Sequence, residues 1–148
     1  MTVALLVQLQ AAVIAELNDA AFAAEHGEEF VAVRKYRAEY EVKDLTDLKV
    51  TVVPKAADRT IASRGETAQE FQIDVAVQQR LPADFEQERI DELLLLVEQI
   101  AEWMLARRPA TFTTAICVAV SETPIYSVEH LDAMRVLTAP VTLTFKVL

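Results

Sequence analysis

From residue 3 onward, apolar positions recur every three to four residues. Leu6, Leu9, Val13, Leu17 and Ala20 form one stripe, while Gln8, Ala12, Glu16 and Asp19 lie on the other side. That spacing predicts an amphipathic helix over 3–23, with Gly27 in HGEE as its stop. The period then changes to two. In FVAVRKYRAEYEV, Phe30, Ala32, Tyr36, Ala38 and Tyr40 share a face that Arg34 interrupts, and Lys35, Arg37, Glu39 and Glu41 share the other. This is the pattern of a half-buried strand.

KDLTD supplies a turn, and LKVTVVP reads as a second strand closed by Pro54, so the two strands are expected to form a hairpin. KAADRTIASRGET is a polar connection. FQIDVAVQQ then alternates strictly, with Phe71, Ile73, Val75 and Val77 inward as a third strand. Asp84 followed by Gln87 predicts a capped start to a long helix over about 84–108, whose core stripe is Ile90, Leu93, Leu94, Val97, Ile100, Ala101, Met104 and Leu105. Acidic residues in its first turns, Arg107 and Arg108 in its last, and Pro109 beyond agree with the helix dipole and a stop.

FTTAICVAV alternates with Phe112, Thr114, Ile116, Val118 and Val120 on one side. SETPIYSVEHLDAM reads as an irregular link to a final strand, RVLTAPVTLTFKV, with Val141, Leu143, Phe145 and Val147 on one face. The expected order is therefore α-β-β-β-α-β-β. This predicts an α+β fold in which two helices cover one face of a mainly antiparallel sheet of about five strands.

Length and composition keep this to a single domain over 1–148. The chain is 53% apolar and has two glycines, a balance that supports one ordered core. The start is apolar but lacks a basic leader, is broken by Gln8 and Gln10, and meets Glu16 before a bilayer could be crossed, so no signal peptide and no membrane segment are expected. A single cysteine, Cys117, allows no internal disulfide, and within TAICVAV it is expected to be a small buried hydrophobe. The net charge of −9 disfavours direct binding of nucleic acid, which rests on Lys and Arg displacing counterions.

Candidate chemistry is sparse. His130 and Asp132 lie two apart, which separates them by about 200° on a helix, and loop packing or capping accounts for His130 better than catalysis does. Ser63 and Ser121 lack the flanking glycines of a nucleophile elbow. His26, His130 and Cys117 show no metal-ligand spacing, and Glu88, Asp91, Glu92, Glu98 and Glu102 read as a solvated helix face. With only Gly27 and Gly65, no glycine-rich phosphate cradle is available. No catalytic, cofactor-binding or metal-binding residues are assigned.

Two features depart from this pattern. Leu95 sits amid the acidic face of the second helix, and KVTVVPKAADRTIASR sets Lys49, Lys55, Arg59 and Arg64 against Asp58 alone. A basic projecting loop on an acidic body suits docking on a neighbour's acidic flank, so Lys55, Arg59, Arg64 and Leu95 are the candidate interface residues.

The amphipathic first helix, the strand pair with its long connection through RTIASRGE, the helix IDELLLLVEQIAEWMLAR and the ending PIYSVEHLDAMRVLTAPVTLTFKV together resemble the tail terminator, or tail-completion, proteins of long-tailed bacteriophages. The resemblance is one of organisation and spans most of the chain. It implies a virion structural protein without enzymatic activity or cofactor, assembled in the host cytoplasm. It further implies a hexameric ring of copies on the last ring of the tail tube, ending tube polymerisation and offering the neck, or head-completion, protein a docking surface. DNA would pass through the lumen without specific binding, and no membrane is involved. A long alternating strand at the C-terminus would be a hazard as a bare edge, and a closed ring would cover it. Two alternatives stay open: a neck or head-closure protein, and a small α+β metabolite-binding or enzymatic domain with His130, Tyr126 and Cys117 around a pocket.

Overall fold

The long alternating segments all become strands of one sheet. The computed structural model describes residues 2–20, 22, 30–84 and 86–147. Its elements are α1 (Leu5–Asp19), β1 (Ala32–Arg34), a 3-10 turn (Val42–Thr46), β2 (Lys49–Ser63), β3 (Glu66–Arg80), α2 (Glu86–Met104), β4 (Ala115–Ser121), α3 (Val128–Met134) and β5 (Val136–Val147). The fold is α+β, with a five-stranded mixed sheet in the order β1-β2-β3-β5-β4. No described helix is long and apolar enough to cross a membrane.

The inward faces of β3 and β5 are those their alternation predicts. Phe71, Ile73, Val75, Val77, Val141, Leu143, Phe145 and Val147 are all buried, and Val75 stands opposite Val141 and Phe71 opposite Phe145. On this face the core closes over with Leu9, Val13 and Leu17 of α1 and Leu93, Leu96, Val97, Ile100 and Met104 of α2. At roughly 1.5–3 kcal/mol for each fully buried large aliphatic or aromatic side chain, this two-layer contact is the main stabilising term.

Several expectations are corrected. The predicted first hairpin does not form: β1 is three residues long and pairs with β2 in parallel, and the hairpin joins β2 to β3. Past Arg34 the chain turns away, leaving Tyr36 exposed, and Tyr40 returns to β2 with its hydroxyl 2.8 Å from Thr51 Oγ1. Pro54 does not close β2. It sits beside a bulge and past the end of β1, where no neighbouring strand requires its missing N–H. The polar stretch KAADRTIASRGET is thus two strands and a tight turn.

The C-terminal strand is not an edge either, since β5 lies between β3 and β4. In β4 the inward residues are Ala115 and Cys117, with Val118 exposed. A bulge between Cys117 and Ala119 then shifts the phase so that Val120 packs on the core. Leu105 is exposed, and Leu96, outside the expected stripe of α2, is buried. Phe85 and the predicted helix stop at Gly27, with His26, lie outside the described residues.

A third helix, α3, occupies part of the link expected to be irregular. Ser127 caps it, its hydroxyl accepting from the His130 N–H at 3.3 Å. It packs on the opposite side of the sheet from α1 and α2. His130 Nδ1 lies 2.8 Å from the hydroxyl of Thr138, which by alternation faces away from buried Leu137 and Ala139. The helices therefore do not all share one face.

Candidate functional site

Strands at the borders of a sheet carry unpaired backbone groups that other chains can template on. Among the described residues each of the two border strands is met from within at one residue, Ala32 in β1 and Cys117 in β4. On the β1 side, Ala32 N–H donates to Asn18 Oδ1 at 2.8 Å and Asn18 Nδ2 donates to Ala32 O at 3.3 Å, so a side-chain amide of α1 takes the place of a strand. One helical stretch earlier, Gln10 Nε2 donates to Val52 O at 2.7 Å and to Lys35 O at 3.0 Å. Buried Gln10 is the reason α1 presents a wider inward arc than its apolar stripe alone predicts.

The β4 border is closed by the chain leaving α2. Ala106 N–H donates to Cys117 O at 2.8 Å, and Cys117 N–H to Arg107 O at 3.0 Å. Ala106 takes φ 65, a left-handed value that residues with a Cβ rarely adopt, and this turn brings its N–H to β4. Arg107 is held from three sides: its guanidinium lies 3.6 Å from the Trp103 ring centroid, its Nε donates to Trp103 O at 2.8 Å, and it pairs with Glu16 at 3.3 Å. Glu16 also accepts from Ala110 N–H at 2.8 Å. Expected on the solvent side of α1, Glu16 is instead buried and ties α1 to this turn, and Ala12 is buried beside it.

The β2 border differs. β1 reaches only Val50–Val52, and β5 accompanies β3 only as far as Gln69 opposite Val147. Among the described residues, Thr60–Ala68 therefore form a two-stranded arm with no third strand, Arg59 standing at its base. It extends about 14 Å past the Arg59–Gln69 pair at the usual strand rise. The tip is the pair Arg64–Gly65, with Gly65 at φ +82, a conformation glycine adopts without a Cβ penalty. Two-stranded ribbons are marginal alone in water, so this arm draws its order from its base and from whatever it touches.

The arm has two unlike faces. Arg59 and Ile61 share the side that continues the core face. Ile61 is 83% exposed, and the Arg59 guanidinium lies 5.3 Å from the Phe71 ring centroid while its Nε donates to Gln69. On the reverse side Asp58, Thr60, Glu66 and Glu70 meet Lys146 of β5 around a broad open hollow of about 700 Å³.

Of the candidate interface residues, Arg59 and Arg64 lie on the arm, Arg64 exposed at its turn. Lys55 sits at the bulge at its base and is engaged within the chain, 3.7 Å from Asp74 and donating to Thr142 Oγ1 at 3.2 Å. Leu95 is 50% exposed on the outer side of α2, away from the arm in sequence and in sheet. Ile61 was not singled out by the sequence pattern, because a lone isoleucine in a polar run carries no periodicity.

The residues considered for a pocket do not converge. Cys117 faces the core, fully buried, and burial pushes its thiol from 9.0 up to about 11. His130 bonds to Thr138 on the other side of the sheet, and Asp132 is exposed on α3. Among the described residues no group of three or more His, Cys, Asp and Glu is placed to hold a metal ion.

What the geometry defines is an exposed, open-edged arm carried by an α+β scaffold. No family model matches the chain, and no curated protein matches it in sequence.

Proposed function

We propose that this chain is a virion structural protein, a tail terminator that forms a ring at the head-proximal end of a phage tail. The observation that carries the reading is the arm: an exposed, two-faced ribbon with an open edge, on a molecule whose other sheet borders are met at Ala32 and at Cys117 by its own side chains and backbone. Such a part is shaped to be completed by neighbours. The organisation of helices and strands that resembles terminator proteins supports the same reading, and the net charge of −9 suits a lumen through which DNA slides without adhering.

The mechanism is geometric. A ring of copies presents to the tube the interface that the next tube subunit would present, and so binds it. Its far side lacks that interface, so addition stops and a neck protein docks there instead. No bond is made or broken.

Electron microscopy of tails assembled in cells lacking this chain tests the proposal. Tubes of scattered, excessive length are expected. Tails of normal, uniform length would overturn it.

A further inference from the structure

The arm's exposed face and the outer ridge of α2 have matching chemistry at matching intervals. On the arm, Arg59, Ile61 and Arg64 follow one another with a basic residue on either side of an apolar one. On α2, Asp91, Leu95, Glu98 and Glu102 are all exposed and fall at helical intervals of four, three and four, which aligns them in one row with an apolar residue inside an acidic border.

At the rise of a strand, Arg59 and Ile61 stand about 7 Å apart, and Arg64 follows in the turn at the arm's tip. At the rise of a helix, Asp91 and Leu95 stand about 6 Å apart, and Leu95 and Glu102 about 10 Å, with Glu98 between. Arg59 and Ile61 are thus spaced like Asp91 and Leu95, and with strand and helix running in the same direction Arg64 follows Ile61 as Glu98 and Glu102 follow Leu95.

We propose that the arm of one copy lies along the α2 ridge of a second copy, Ile61 against Leu95, Arg59 facing Asp91, and Arg64 facing Glu98 and Glu102. The occupant is a second copy because the charges are complementary between two parts of the same chain that cannot meet within it. The arm is part of the sheet on which α2 packs, whereas the ridge is on the helix side turned away from that sheet. Among the described residues Ile61 is the most exposed large apolar side chain and Leu95 is half exposed, and this contact removes both from water. Because arm and ridge are different surfaces, the contact is head-to-tail. Each copy offers one of each, so copies add in one sense and close into a ring when the rotation permits. This deepens the terminator reading and rests on it for the requirement that the ring close.

The test uses disulfide capture. In a Cys117→Ala background, one protein carries Ile61→Cys and another Leu95→Cys; they are purified separately, concentrated, mixed and mildly oxidised. The expected result is a mixed dimer at least tenfold more abundant than either self-linked dimer, and a ladder of trimers and higher species when one chain carries both substitutions. Adding Arg59→Glu and Arg64→Glu to the arm partner should cut the mixed dimer at least tenfold, and Asp91→Lys with Glu98→Lys on the ridge partner should restore it.

Circular dichroism of each variant verifies folding, and a Cys117→Ser background replaces any that fails. No mixed dimer, or Ile61→Cys chains linking to each other equally fast, would overturn the contact. Scattered tail lengths in the absence of the chain, with no cross-link, would overturn this contact and leave the terminator reading standing. A cross-link with tails of uniform length would do the reverse.

Discussion

The closed β4 border and the open arm belong to the same sheet and solve opposite problems. At β4 the chain spends a strained residue, Ala106, and a half-buried ion pair, Arg107 with Glu16, to bring backbone groups onto an edge strand. At β1, Asn18 and Gln10 perform the same service with side-chain amides. Along β2 from Val53 to Ser63 nothing in the described chain does so. An edge left open on a sheet whose other borders are met in part from within is the feature on which the proposed contact between copies rests. The contrast also explains why polar residues of α1 are buried: they are the closing devices.

The sharpest contrast within the arm is between its base and its tip. Phe71→Ala should cost about 4 kcal/mol in urea unfolding, since it empties a fully buried site where β2, β3 and β5 meet. Ile61→Ser, ten residues away in sequence, should change stability by less than about 0.5 kcal/mol while lowering self-association in sedimentation experiments. A comparable loss of stability at both positions would mean the arm is part of the core.

Opening the β4 side comes next in size. Glu16→Ala leaves Arg107 and the Ala110 N–H without their shared partner and should cost about 2 kcal/mol. On the β1 side, Asn18→Ala removes two hydrogen bonds to Ala32 and should cost about 1.5 kcal/mol. If that variant also self-associates through the freed β1 edge, as aggregation-prone edges do, the closing role of Asn18 is seen directly.

The smallest effect is on pH dependence. The Cys117 thiol is held at about 11 by burial, against 9.0 ordinarily. Between those values the unfolded chain gives up a proton that the folded chain keeps. The contribution is therefore whole below pH 9 and is lost as pH rises toward 11. Urea midpoints at pH 8 and pH 10 should separate further for the native chain than for Cys117→Ala. Thiol-specific labelling at neutral pH should be slow until the protein is unfolded.

The parts of the fold governed by apolar periodicity were legible in the sequence: β3 and β5 with their buried faces, and α1 and α2 with part of theirs, Ala12, Glu16 and Leu96 being buried against expectation and Leu105 exposed. What was not legible depends on partners far along the chain. A bulge in β4 changes which residues face inward, and a bulge is not visible as period. The arm reads as loop because both its faces are exposed and neither needs to be apolar. Glu16 and Gln10 read as solvent-facing because their partners, Arg107 and the Val52 carbonyl, lie 91 and 42 residues away. As for the candidate interface, Arg59, Arg64 and Leu95 were singled out from charge and from a misplaced apolar residue, and all three are exposed. Lys55 was drawn inward by Asp74, whose position opposite Val53 only the strand register reveals.

Amide hydrogen exchange, followed residue by residue in dilute and in concentrated protein, tests the reserved edge most directly. In dilute protein the account predicts slow exchange at Cys117, whose N–H is bound to Arg107, and fast exchange at the outward amides between Asp58 and Ser63, with those arm amides slowing as copies associate. Arm amides as protected as Cys117 in the dilute chain, or unchanged on association, would contradict it.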